Sequence, residues 1–83
     1  MLGLRLKRGL VRSGVQISAR NQLVGIVASI EEGAVMSIVV IRLPNGEELV
    51  SSITKESVDR LQLTVGQKAI AVIKSTDVMI AID

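Results

Sequence analysis

Eighty-three residues with 48% apolar content make one small domain that is too hydrophobic to be disordered. Absence of Cys and His excludes disulfides, a His/Cys zinc site and nucleophilic chemistry by those residues, and absence of Phe, Tyr and Trp removes the stacking platforms of single-strand binders. The net charge of +2 is uneven: residues 1–16 carry Arg5, Lys7, Arg8 and Arg12 and no acid, whereas residues 17–83 carry six basic and eight acidic side chains, so a basic-surface argument for nucleic acid fails there.

Residues 1–16 show no clean period. Leu2, Leu4, Leu6 and Leu10 are interrupted by charges and form no signal-peptide core. No apolar run nears the ~20 residues that span a bilayer. The segment reads as a basic extension, disordered or vector-derived. The alternatives are a basic anchor for a membrane or nucleic acid, and an arm that packs on a neighbour. Residues 17–83 form the domain.

Ser18-Ala19-Arg20-Asn21-Gln22 is a polar cluster between Ile17 and Leu23. If extended, Ser18 and Arg20 share one face. A hydroxyl and a guanidinium together suit an anion; the plainer reading is a polar strand start with a surface arginine. Residues 23–30 read as a first strand, with Glu31-Glu32-Gly33 as a turn. Residues 35–43 form a second strand with almost no polar alternation. Pro44-Asn45-Gly46 is a strong turn signal, with Asn-Gly suited to positive φ. Residues 47–53 make a third, more polar strand, placed at an edge.

Thr54 is an N-cap for a short helix over residues 55–61, with Glu56 in its first turn. Val58 and Leu61 give that helix one apolar face. Capping explains Thr54 and Ser57, and two hydroxyls on one first turn are also compatible with anion binding. Gly66 ends the following loop. Residues 69–73 and 78–82 are expected as fourth and fifth strands. Between them Lys74-Ser75-Thr76-Asp77 is either an ordinary hairpin turn or a second anion contact. In the second case Lys74 acts as a point charge and Ser75 as a donor.

The order strand, strand, strand, short helix, strand, strand matches a five-stranded OB-like barrel, all-β with one short helix. Strands apolar on both faces, in an aromatic-free chain this short, imply an oligomer. No phosphate loop is present, and no nucleophile–base pair, so the chain is expected not to be an enzyme.

Three stretches carry a family resemblance. They are Ile17-Ser18-Ala19-Arg20-Asn21-Gln22-Leu23, then Ser52-Ile53-Thr54 with Ser57, then Val72-Ile73-Lys74-Ser75-Thr76-Asp77-Val78-Met79. Together they closely resemble the molbindins, small molybdate-binding proteins built from a single Mop-type (TOBE) domain. The resemblance covers residues 17–83. It implies an OB-like barrel assembled as a hexamer, a trimer of dimers, that binds molybdate or tungstate at subunit interfaces. By position it assigns anion contacts to Ser18, Arg20, Thr54, Ser57, Lys74 and Ser75, with Arg20 acting through side chain or backbone. It departs from the family at the N-terminus, where sixteen residues precede the motif. The function expected is intracellular storage or buffering of the oxyanion, with no organic cofactor and no resident metal ion. The location expected is the cytoplasm, which the absence of Cys fits. The alternatives are an accessory module that signals molybdate to a protein partner, and a nucleic-acid-binding OB protein using the basic tail.

Overall fold

The structure, a computed structural model, describes residues 16–83, so the expectations for the basic extension fall, apart from Gln16, outside the described residues. The chain forms strand β1 (Asn21–Glu32), β2 (Met36–Arg42) and β3 (Glu48–Thr54), helix α1 (Lys55–Leu61), strand β4 (Lys68–Ile73) and a 3-10 turn at Ser75–Asp77. The strands make one antiparallel sheet in the order β3-β2-β1-β4. It is mostly β with one short helix, curled into a half-barrel of OB type.

The curl has a local cause. β1 serves two partners: residues 21–26 pair with β4, and residues 26–32 pair with β2. The register slips between Val27 and Ser29, which leaves Ala28 as a bulge. A bulge bends its strand and raises the local twist. Val27 then bonds outside the ladders, donating to Gln67 O at 2.9 Å and accepting from Gly66 N–H at 2.8 Å. Gly25 stands just before the bend. A Cβ there would meet Arg42 O at 2.6 Å and Ile41 Cγ2 at 2.7 Å, so only glycine lets β1 and β2 come this close.

The β2–β3 hairpin closes on Pro44-Asn45-Gly46. Leu43 N–H donates to Glu47 O at 2.8 Å and Gly46 N–H to Leu43 O at 2.9 Å. Gly46 takes φ +93° and Asn45 stays outside the left-handed region, so only half of the Asn-Gly pair uses positive φ. A type I turn followed by one left-handed residue is a common three-residue hairpin solution.

The core is small. Val27, Val39, Ile41 and Val58 are buried, with Ile30, Leu43, Leu49, Ile53, Leu63 and Ala69 packed around them. Val58 anchors α1 as expected. Leu61 does not: it is 56% exposed, and Leu63 beyond the helix packs in its place. The helix ends at Gln62, which turns left-handed (φ 54°), and Leu61, at the last helical position, borders the open groove beside Val39, Ile41 and Ile53 rather than closing over the core.

The main correction concerns residues 78–82. They form no strand, and Met79, Ile80 and Ile82 are 90%, 85% and 92% exposed. The described sheet therefore has four strands rather than five, and Lys74–Asp77 is a 3-10 turn leading into an arm rather than a hairpin turn. The physical reason is that a strand needs a ladder partner, and this arm meets none among the described residues. β1 is longer than expected at both ends, taking in Asn21, Gln22, Glu31 and Glu32. The expected edge position of the third strand holds.

Candidate functional site

Six polar residues were singled out in the sequence, and the fold sorts them into two groups. The first group sits where β1 begins and β4 ends. Asn21 pairs with Ile73 and Gln22 with Val72. The chain before Asn21 and the chain after Ile73 therefore leave the sheet at the same end. Ser18 and Arg20 precede the first position, and Lys74 and Ser75 follow the second. All four are exposed.

This end is shaped by two local devices. Gln22 Nε2 donates to Ala19 O at 2.6 Å, which folds residues 19–22 into a short clamp. Sequence reasoning gave Gln22 no role; the signal was an amide three residues from a backbone carbonyl in a polar run. On the other side, Asp77 N–H donates to Lys74 O at 2.9 Å, which fixes the 3-10 turn that carries Ser75. Among the described residues, neither Arg20 nor Lys74 forms an ion pair, whereas Arg42 is held by Glu48 at 3.1 Å and Lys55 by Asp59 at 3.1 Å. This end carries two uncommitted cations and three hydroxyls, those of Ser18, Ser75 and Thr76, against one carboxylate, Asp77. That balance favours an oxyanion bound by charge-assisted hydrogen bonds.

The second group, Thr54 and Ser57, lies elsewhere. Thr54 pairs with Met36 at the far end of the sheet, where β1 reaches Glu32 beside Ser37. Eleven residue steps of about 3.3 Å separate the ends of β1 by roughly 35 Å along the strand. The two groups therefore lie at opposite ends of β1 within one chain. Thr54 is also committed. Its Oγ1 accepts from Ser57 N–H at 3.0 Å and donates to Ser57 Oγ at 2.9 Å. That is a helix cap, as the plainer reading held.

Electrostatics separate the two ends further. The shallow hollow beside Thr54, about 420 Å³, is lined by Ala34, Val35, Lys55, Glu56 and Asp59. Its one cation is spent on carboxylates: Lys55 Nζ lies 3.1 Å from Asp59 and 4.0 Å from Glu32. The hydrogen bond to Asp59 raises the Lys55 pKa, with the charges of Asp59 and then Glu32 adding to it and desolvation opposing it. Lys55 thus faces carboxylates rather than open solvent alone. The cations at the Arg20/Lys74 end have no carboxylate partner among the described residues, whereas the cation beside Thr54 is paired.

Two apolar features are left without a cover among the described residues. The inner face of the half-barrel holds a groove of about 310 Å³, whose walls include Val39, Ile41, Leu49, Ile53, Ile70 and Val72. The arm at residues 78–82 is apolar and exposed. Among the described residues, no group of three or more Asp or Glu side chains could hold a metal ion. No helix of the described residues is long and apolar enough to cross a membrane.

Comparison with known proteins converges on one family. A model of the TOBE domain matches residues 17–80. The molybdenum transport protein ModE of Herbaspirillum seropedicae is 47% identical over 70 residues, which cover 84% of this chain and 26% of that protein. The chain thus spans about a quarter of that relative's length. A probable molybdenum-pterin-binding protein of Haemophilus influenzae is 46% identical over 69 residues, 83% of this chain and 100% of that protein. Among solved structures, the cytoplasmic molybdate-binding protein ModG with molybdate bound superposes with a TM-score of 0.71 at 49% identity, covering 76% of this chain and 45% of that one.

Proposed function

Because this chain belongs to the TOBE domain family, we propose that it binds molybdate and holds it in reserve for the cell, without transforming it. The observation that carries this reading is the β1–β4 register, which sets Ser18 and Arg20 at the same sheet end as Lys74 and Ser75. Relatives named for molybdenum or molybdate, and matching along most of this chain, supply the identity of the oxyanion. Hydroxyls and cations at that end donate to the dianion. Tungstate, nearly the same size, is held as well. Sulfate is smaller, leaves donors unpaired and binds more weakly.

The site is built from more than one copy. Thr54 and Ser57 reach the anion of a neighbouring chain, because within one chain they stand a whole strand away. Assembly as a hexamer, a trimer of dimers, is supported by the groove and the arm, which no other described residues cover. The cytoplasm is the proposed location, in keeping with the relative named as cytoplasmic. A second reading, an accessory module that passes the molybdate signal to a protein partner, draws support from the ModE relative, of which this chain spans only a quarter.

The test is calorimetric titration with molybdate, tungstate, sulfate and phosphate. Comparable heats for molybdate and tungstate and a weaker response to sulfate are expected. Equal binding of all four would show a general anion patch instead, and no response to molybdate would end the proposal.

A further inference from the structure

We propose that Asn45 is a site of spontaneous modification, at which the side-chain amide becomes an acid through a cyclic imide formed with the backbone nitrogen of Gly46. Asn45 and Gly46 are both exposed at the tip of the β2–β3 hairpin. Gly46 has no side chain to shield its nitrogen, and nothing lies within 4 Å of where a Cβ would stand. Asn45 Oδ1 accepts a hydrogen bond from Glu47 N–H at 3.1 Å. That contact closes a ring containing Asn45 Cγ and the Gly46 nitrogen, so it keeps the two reacting atoms near each other. The same N–H draws electron density from the side-chain carbonyl and stabilises the negative charge that appears on Oδ1 as nitrogen adds.

The step balances with water alone. Gly46 N–H gives its proton to water or hydroxide, and the nitrogen lone pair bonds to Asn45 Cγ. The Cγ–N bond of the amide breaks, and the nitrogen leaves as ammonia after taking a proton from solvent. Water then opens the imide at either carbonyl, giving aspartate or isoaspartate. Nothing is oxidised or reduced. Opposing the reaction, Gly46 N–H is bonded to Leu43 O at 2.9 Å and must let go first. That bond closes a solvent-exposed turn, the kind of contact that opens locally without unfolding the domain.

The consequences follow from the turn. A carboxylate at position 45 stands beside Glu47 and Glu48, the second of which holds Arg42. The isoaspartate form adds a methylene to the backbone of a three-residue loop whose register depends on its length. The chain's other asparagine, Asn21, offers the contrast: it is followed by the bulkier Gln22 and sits in the ladder opposite Ile73.

Trypsin releases residues 43–55, in which Asn45 is the single side-chain amide, and residues 21–42, which hold Asn21. The folded protein is incubated at mildly alkaline pH and both fragments are weighed over time, with an isoaspartate assay. We expect the mass gain of amide-to-acid conversion in fragment 43–55, faster as pH rises, several-fold ahead of any change at Asn21, and none in fragment 43–55 of Asn45→Ser. Conversion no faster than at Asn21 would overturn the proposal. So would an unchanged fragment 43–55 when the free peptide of the same sequence converts, because the folded turn would then protect Asn45.

Discussion

Asn21 and Ile73 face each other across the β1–β4 ladder, and that pairing sends Arg20 and Lys74 out of the sheet at one end. Lys74 opens the 3-10 turn and has no carboxylate partner among the described residues, whereas Lys55 is held by Asp59. Lys74→Ala is therefore expected to weaken molybdate binding by about one to two decades, from the roughly 1.5–3 kcal/mol of a lost charged hydrogen bond. Lys68→Ala, at the other end of β4, changes only a screened field. Titration of Lys74→Ala, Lys68→Ala and Lys55→Ala at one salt concentration reads the difference. Equal losses in all three would mean that overall charge, not a defined end of the sheet, holds the anion.

The exposed arm leads to a second expectation. Met79, Ile80 and Ile82 each hold apolar surface whose full burial is worth about 1.5–3 kcal/mol. The groove lined by Ile41, Leu49, Ile53 and Val72 is apolar in turn. Ile80→Asp is expected to lower the assembly state in sedimentation at micromolar concentration and to weaken molybdate binding with it. An unchanged assembly in Ile80→Asp would show that the arm lies outside the contact.

Much of this architecture was legible in the sequence because short-range signals dictate it. Thr54 with Ser57 announced the helix start, Pro44-Asn45-Gly46 announced the hairpin, and the β-branched runs announced the strands. What was not legible depends on partners distant in the chain. Residues 78–82 have the composition of a strand, but composition does not say which ladder takes them, and the described residues provide none. Leu61 stands three residues after Val58 and looked like its companion, but it borders the open groove and stays exposed. The candidate residues were visible as polar clusters. Their separation into two ends was not, because it follows from the β1–β2 and β1–β4 registers.

Gly25 tests the close passage of β1 over β2. A methyl group there would come within 2.6 Å of a backbone oxygen, which cannot swing aside as a side chain can. Gly25→Ala is expected to destabilise the fold by about 1–3 kcal/mol, as overpacking does. The urea midpoint measures this. Full stability in the variant would mean that β1 and β2 have room to separate.

Lys55 sets a pH dependence at the alkaline end. Its pKa is raised above the ordinary lysine value of 10.5, chiefly by the hydrogen bond to Asp59. A group whose pKa is higher folded than unfolded stabilises the fold fully below its unfolded value and loses that effect as pH climbs through the folded one. The urea midpoint should therefore fall above the ordinary lysine range more in the wild type than in Lys55→Met. Parallel pH curves for the two proteins would remove Lys55 from this account. The effect is small, because the pair is exposed and screened by solvent.

Ser37 is the one buried polar side chain among the described residues without a partner. It is 1% exposed, in β2 between Ile53 and Glu32 on the flanking strands, and its Oγ makes no hydrogen bond. A buried hydroxyl left unpaired costs roughly 1–3 kcal/mol, while removing its oxygen leaves a gap smaller than a methyl group. The first effect is larger than the second. Ser37→Ala should raise stability by about 1 kcal/mol, which for a domain of this size moves Tm up by roughly 4–8 °C. Ser37→Val should not share the gain, because the added methyl groups have to displace close-packed neighbours of β2. Thermal melts of both variants, at matched protein concentration, decide the matter. A lower Tm for Ser37→Ala would refute the account of Ser37 as an unpaired hydroxyl that costs the fold stability.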